Sequence, residues 1–166
     1  MNSIHVDRVF SKKLIAITAD LADEIWHQHY SDIIGTEQID YMLGKYQTVE
    51  AISKQITDGM CYCLISFENQ YVGYMAYQIK DDGSVFLSKI YVLDNMRGKG
   101  LGRKLMEYAE NEGKNNLCNR IWLTVNRGNE NSVAAYKSFG FTIEREIDSD
   151  IGNGFLMNDY VMFKVL

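Results

Sequence analysis

The segment that most restricts this chain is Ile90-Tyr91-Val92-Leu93-Asp94-Asn95-Met96-Arg97-Gly98-Lys99-Gly100-Leu101-Gly102-Arg103-Lys104-Leu105. An apolar strand ends there, three glycines follow at alternate positions, and a helical pattern begins at once. Without Cβ atoms the backbone can turn tightly and admit a ligand close to the main chain. Such a turn directs unpaired N–H groups to one point, and the helix N-terminus adds about half a positive charge, so a phosphate or pyrophosphate is the natural occupant. Arg97, Lys99, Arg103 and Lys104, four of the 17 basic residues, surround it. The Gly-x-Gly-x-Gly spacing fits neither the dinucleotide G-x-G-x-x-G nor the P-loop, which disfavours nucleoside triphosphates.

This positive charge is local. The 166 residues carry 17 basic and 22 acidic side chains, a net charge of −5. A nucleic-acid partner would need a broad basic surface, so none is expected. With 46% hydrophobic residues, a chain of this length can bury roughly 70% of its unfolded surface, and residues 1–166 are expected to form a single domain. No apolar run reaches membrane-spanning length, and the N-terminal residues lack a signal-peptide layout, so the reading is cytoplasmic with no membrane association. Cys61, Cys63 and Cys118 form no CxxC pair, which fits neither a disulfide framework nor a zinc site, and no metal is expected.

Hydrophobic spacing predicts a weak first strand over Ile4 to Phe10 and a helix through Leu14, Ile17, Leu21, Ile25 and Trp26 to about Tyr30. Helices over Thr36 to Tyr46 and after the N-cap Thr48 follow, the latter closed by Gly59. Cys61 to Phe67, Tyr71 to Ile79 and Val85 to Leu93 read as an antiparallel meander, with turns at Glu68-Asn69-Gln70 and Asp81-Asp82-Gly83-Ser84. A helix from Leu101 to about Gly113, a strand Arg120 to Val125, a short helix Asn131 to Ser138, and strands Thr142 to Ile147 and Leu156 to Val165 complete an α/β order around one mixed sheet.

Arg97-x-x-Gly100-x-Gly102 resembles the glycine-rich signature of the GCN5-related N-acetyltransferases (GNAT). A second segment, Asn129, Ser132, Tyr136, Gly140 and Phe141, is similar to the family pattern that follows one strand later. The order of elements matches from about residue 10 onward. The resemblance implies a central, mostly antiparallel mixed sheet of about six to seven strands, flanked by helices and splayed between the fourth and fifth strands. It also implies acetyl-CoA as co-substrate, its pyrophosphate on the amides of Gly98, Lys99, Gly100, Leu101 and Gly102, and its pantetheine arm along Tyr91, Val92 and Leu93. Arg97, Lys99, Arg103 and Lys104 would meet phosphates, Asn129 would contact the coenzyme, and Tyr136 would return a proton to the departing thiolate.

Acetylation of a primary amine also needs a base, since an amine of pKa about 10.4 is only about 0.04% neutral at pH 7. Some family members place a glutamate on the central strand, but Val85 to Val92 contains no carboxylate. A water chain at Ser88 or Asn126, or a carboxylate from Glu37 or Asp40, is the expected substitute. Acid near Asp148-Ser149-Asp150 and Asn158-Asp159-Tyr160, joined by Glu37 and Asp40, would attract a cationic small-molecule acceptor if it borders the acceptor mouth; a distant likeness to bacterial polyamine acetyltransferases points the same way. Two alternatives stay open: a non-catalytic acyl-CoA sensor, and a protein lysine or N-terminal acetyltransferase. The apolar stretch Tyr160 to Leu166 is expected to pair across a homodimer.

Overall fold

The computed structural model describes residues 3–166. Its elements are β1 (Ile4–Arg8), α1 (Lys12–Ile34), α2 (Thr36–Tyr46), α3 (Val49–Thr57), β2 (Cys61–Phe67), β3 (Gln70–Ile79), β4 (Ser84–Val92), α4 (Leu101–Asn115), β5 (Arg120–Asn126), α5 (Glu130–Ser138), β6 (Thr142–Gly152) and β7 (Phe155–Val165). A 7-stranded sheet runs β1-β2-β3-β4-β5-β7-β6, with every neighbouring pair antiparallel except β4 and β5.

Local chemistry sets the helix ends. The Ser11 hydroxyl accepts from the Leu14 amide at 3.2 Å and starts α1, which runs one turn beyond the expected Tyr30 and stops at Gly35, where φ is +81°. Thr48 caps α3 by accepting from the Ala51 amide at 3.0 Å, as its position predicts. Strand β6 continues past the expected Ile147 to Gly152. Its exposed, polar residues hide the strand from a periodicity reading, while pairing with β7 from Thr142 to Gly152 supplies the ladder.

Two apolar layers cover the sheet. On one face Met75, Leu87, Ile121 and Met162 pack against Leu101 and Leu105 of α4. On the other, Leu64, Tyr74 and Ala76 pack against Ile25 of α1, Ile39 of α2 and Ile52 of α3. A buried relay ties these helices to the strands: Trp26 Nε1 donates to the Tyr74 hydroxyl at 2.7 Å, which donates to Gln47 Oε1 at 2.7 Å. Gln47 Nε2 in turn donates to the Tyr62 hydroxyl at 3.0 Å.

Strand β4 has two irregularities that create the site. Ala76 pairs with Lys89 but Tyr77 pairs with Leu87, so Ser88 is an extra residue, a β-bulge. Before it Val85 and Leu87 face α4; after it Ile90 and Val92 do. Ser88 and Lys89 therefore both project toward the helical layer of α1 to α3, which a regular pleat forbids. Second, β4 and β5 pair only from Ser84/Arg120 to Phe86/Trp122 and then separate. The expected splay lies there.

The expected pairing of Tyr160 to Leu166 across a dimer is overturned. Strand β7 lies between β5 and β6, so both of its hydrogen-bonding edges are used. The sheet edges are β1 and β6, and the exposed charges of β6 suit an edge that resists association.

Candidate active site

Two cavities meet at the splay. The first, about 330 Å³, lies between the end of β4, the glycine turn and α5. The Arg97 amide donates to the Asp94 carbonyl at 3.3 Å and the Lys104 amide to the Gly100 carbonyl at 3.1 Å. Between them, the amides of Gly98 to Arg103 have no backbone acceptor among the described residues. Backbone donors of this kind need an acceptor. Gly98 and Gly100 take φ of +78° and +77°, and a Cβ at either, or at Gly102, would meet nothing within 4 Å. Gly100, the N-cap of α4, offers no side-chain oxygen to compete for these donors. Such a turn can take an anion on these amides.

The basic residues divide. The Arg97 guanidinium is 2.7 Å from Asp94 Oδ1 and donates to the His29 ring at 2.8 Å. Burial and this neighbouring cation hold the His29 pKa below its ordinary value, so the ring stays neutral and accepts. Arg103 stacks on the Phe139 ring, 4.8 Å from its centroid. Lys99 turns away to lie 5.2 Å over Phe67 and does not line the cavity, and neither does Leu93. Tyr91, Val92, Arg97, Gly98, Gly100, Leu101, Gly102 and Arg103 do.

The second cavity, about 380 Å³, is bounded by Trp26, Tyr30 and Met42 from the helices and by β4, β5, β6 and β7. Tyr91 and Tyr136 line both cavities. The Tyr91 and Tyr30 hydroxyls share a hydrogen bond of 2.8 Å, and burial raises the phenol pKa of both. Burial likewise raises that of Tyr136, which stays protonated across the working pH range.

On the floor, Asn126, Asp159 and Ile147 form a row across β5, β7 and β6. Asp159 is 6% exposed, and its Oδ1 has no hydrogen-bond partner among the described residues. Arg127 approaches but donates to the Asp159 main-chain oxygen, at 3.2 Å, and its other nitrogen to Asp148 at 2.7 Å. Burial dominates: the carboxyl is pushed up to about 6, against a smaller lowering by Arg127. Lys89, placed here by the bulge, donates to Ser88 Oγ at 2.8 Å and has no carboxylate partner among the described residues. Part of its surface faces the cavity, yet the surround is dense enough that desolvation lowers its pKa to about 8.

Ser88 and Asn126 border this cavity, and Asn126 Oδ1 accepts from the Gly128 amide at 2.8 Å. Asn129 borders the second cavity, not the first; its Oδ1 caps α5 by accepting from the Ser132 amide at 3.2 Å. Glu37 and Asp40 do not reach either cavity, which overturns the expected carboxylate wall on α2. That helix buries Gln38, Ile39, Met42 and Leu43, so Glu37 and Asp40 fall on its outer side, where Asp40 meets His27 Nε2 at 2.8 Å.

Comparison with known proteins agrees with this architecture. A spermine/spermidine N(1)-acetyltransferase of Bacillus subtilis is 27% identical over 90 residues, 49% of this chain; the match spans 59% of that relative's length. An uncharacterised N-acetyltransferase of Mycobacterium tuberculosis is 32% identical over 99 residues, covering 60% of this chain and 63% of that one. Among solved structures, the PaiA N-acetyltransferase of Thermoplasma acidophilum in complex with coenzyme A superposes with a TM-score of 0.85 at 21% identity, covering 99% of both chains. The model of the acetyltransferase (GNAT) family matches residues 19–141. With its glycine turn on α4 and its splayed parallel pair, the chain belongs to the GNAT acetyltransferases.

Proposed function

We propose that this protein transfers acetyl from acetyl-CoA to a primary amine on a small molecule, by direct attack with both substrates bound. The observation that carries this reading is that Tyr136 and Tyr91 stand on the wall shared by an anion-binding cavity and a second, partly polar one. The residues present fit the donor. Six free amides from Gly98 to Arg103 suit a diphosphate, and the β4 backbone beyond Phe86, unpaired with β5, suits the amides of a pantetheine arm. The coenzyme bound to the Thermoplasma neighbour and the polyamine named for the Bacillus relative support donor and acceptor class respectively.

Acetyl-CoA supplies an electrophilic thioester carbonyl and a thiolate leaving group. The chain supplies proton handling and exclusion of water. Asp159 takes the place of the carboxylate that β4 lacks: its buried carboxylate, with Oδ1 unpartnered and its pKa pushed up to about 6, accepts a proton from the incoming ammonium. Tyr136 holds a hydroxyl at the junction of the cavities and donates a hydrogen bond to the departing sulfur. Trp26, Tyr30 and Met42 keep the acceptor side apolar around these polar groups.

Thiol release on mixing acetyl-CoA with a panel of amines tests the reading. Amine-dependent release is expected; coenzyme A binding without turnover on any amine would instead favour a sensor. A second prediction concerns the turn. Gly100→Val is expected to raise the Kd for coenzyme A at least about tenfold, because a β-branched residue in the left-handed region costs about 1–2 kcal/mol and its methyls enter the phosphate space. Calorimetry measures this, and an unchanged Kd would remove the turn from the donor site.

A further inference from the structure

The second cavity holds opposite charges that do not satisfy each other. Asp159 is buried with an orphan Oδ1. Lys89 reaches only the Ser88 hydroxyl, and no ion pair joins the two side chains. Arg127 and Asp148, the charged groups that act on Asp159, pair with each other at 2.7 Å. An unpaired charge in a desolvated setting is costly, and folds retain few of them. A pocket that keeps one of each sign, apart from each other, is complementary to a ligand that brings its own separated pair.

We infer that the acceptor is a zwitterion, a small amine that also carries a carboxylate, with its ammonium at Asp159 and its carboxylate at Lys89. The inference rests on the transferase reading above and narrows its acceptor class. A second argument is protonic. Moving a proton from an ordinary alkylamine of pKa about 10.4 to a carboxyl titrating near 6 is uphill by roughly four pK units, whereas a peptide-type α-amine of pKa about 8 reduces that to roughly two. An amine beside an amide carbonyl, as in glycylglycine, thus suits this base better than the amines of a polycation. Lys89 also works against a polycation directly, since a second ammonium in the cavity would meet a like charge.

Matched acceptors provide the test. Thiol release would be compared for glycylglycine against glycylglycinamide and for β-alanine against β-alaninamide, with spermidine as the polycationic control. The carboxylate member of each pair is expected to have a kcat/KM larger by about tenfold or more, the size of one charge pair formed in a desolvated pocket. In Lys89→Gln that ratio is expected to fall to about twofold or less, while Lys89→Arg, which keeps the charge, retains most of it. A wild-type ratio of one or below, or spermidine as the best acceptor, overturns the inference while leaving the transferase reading intact. A ratio that Lys89→Gln leaves unchanged overturns the role of Lys89. Failure of every amine to release thiol overturns the transferase reading itself. Because the wild-type comparison needs no variant, misfolding of Lys89→Gln would not shield the idea.

Discussion

Asp159→Asn is expected to lower kcat/KM for the amine by about two orders of magnitude, the usual contribution of a positioned base, and at the same time to stabilise the protein. The stability half follows from the carboxyl's position. Its pKa is raised in the folded state to about 6 from an ordinary 3.8, so the folded protein favours the neutral form. The stability this group contributes is fully present below the unfolded value and is lost as pH rises through about 6. The full shift corresponds to about 3 kcal/mol, and discounting for the part of the carboxylate that reaches the cavity leaves about 2 kcal/mol. For a chain of this length that is a rise in Tm of roughly 4–8 °C at pH 7.5, shrinking to near zero below the unfolded value of 3.8, where the wild-type carboxyl is neutral in both states. The wild-type rate should correspondingly rise with pH along a limb centred near 6. Thermal scans at the two pH values and a pH–rate profile check both halves. An undiminished kcat/KM would exclude Asp159 as the base, and a lower Tm at pH 7.5 would contradict its description as a costly buried charge.

Tyr136→Phe is expected to reduce kcat by about 10–100-fold while the affinity for coenzyme A stays within about twofold, since a hydrogen bond to a charged group contributes about 1.5–3 kcal/mol. The direction of the Tyr136 shift defines its role. Burial raises the phenol above 10, while a thiol leaving group sits near 8.5. Complete proton transfer from tyrosine to thiolate is therefore uphill, and the hydroxyl acts by holding a hydrogen bond to sulfur as charge accumulates there. Phenylalanine keeps the ring contact with Phe141, whose centroid lies 6.0 Å away, so packing is preserved. Stopped-flow thiol release separated from coenzyme titration distinguishes the two effects. Equal kcat in the variant would remove Tyr136 from the chemistry.

The anion turn was legible in the sequence because its requirement is local: glycine tolerates positive φ, and Gly98 and Gly100 adopt it. The helix cap at Thr48 was legible for the same reason. What stayed hidden depends on register. Ser88 and Lys89 read as ordinary members of an alternating strand until the bulge turns both to one side. Asp159 did leave a trace, since Met157, Asp159 and Val161 alternate with exposed Leu156 and Asn158. An acid at an inward position of such a run is a sign of function, yet only the pairing of β7 with β5 and β6 shows where it points. Glu37 and Asp40 misled for the converse reason: they are acids in the right part of the chain, on the wrong side of α2.

Because Ser88 shifts the frame of β4, the strand is read by odd numbers up to Leu87 and by even numbers from Ile90, and both halves still cover α4. Residue identity at 88 and 89 is thereby uncoupled from the α4-side core: descendants of this chain can exchange those two side chains for others, and so change what they acetylate, without repacking a single leucine under α4. Removing one of the two would leave Leu87, the surviving residue and Ile90 in a regular pleat that faces as it does now, so the loss falls on the pocket alone. For this lineage the pocket can lose a side chain at this point as well as exchange one, with the core left in place.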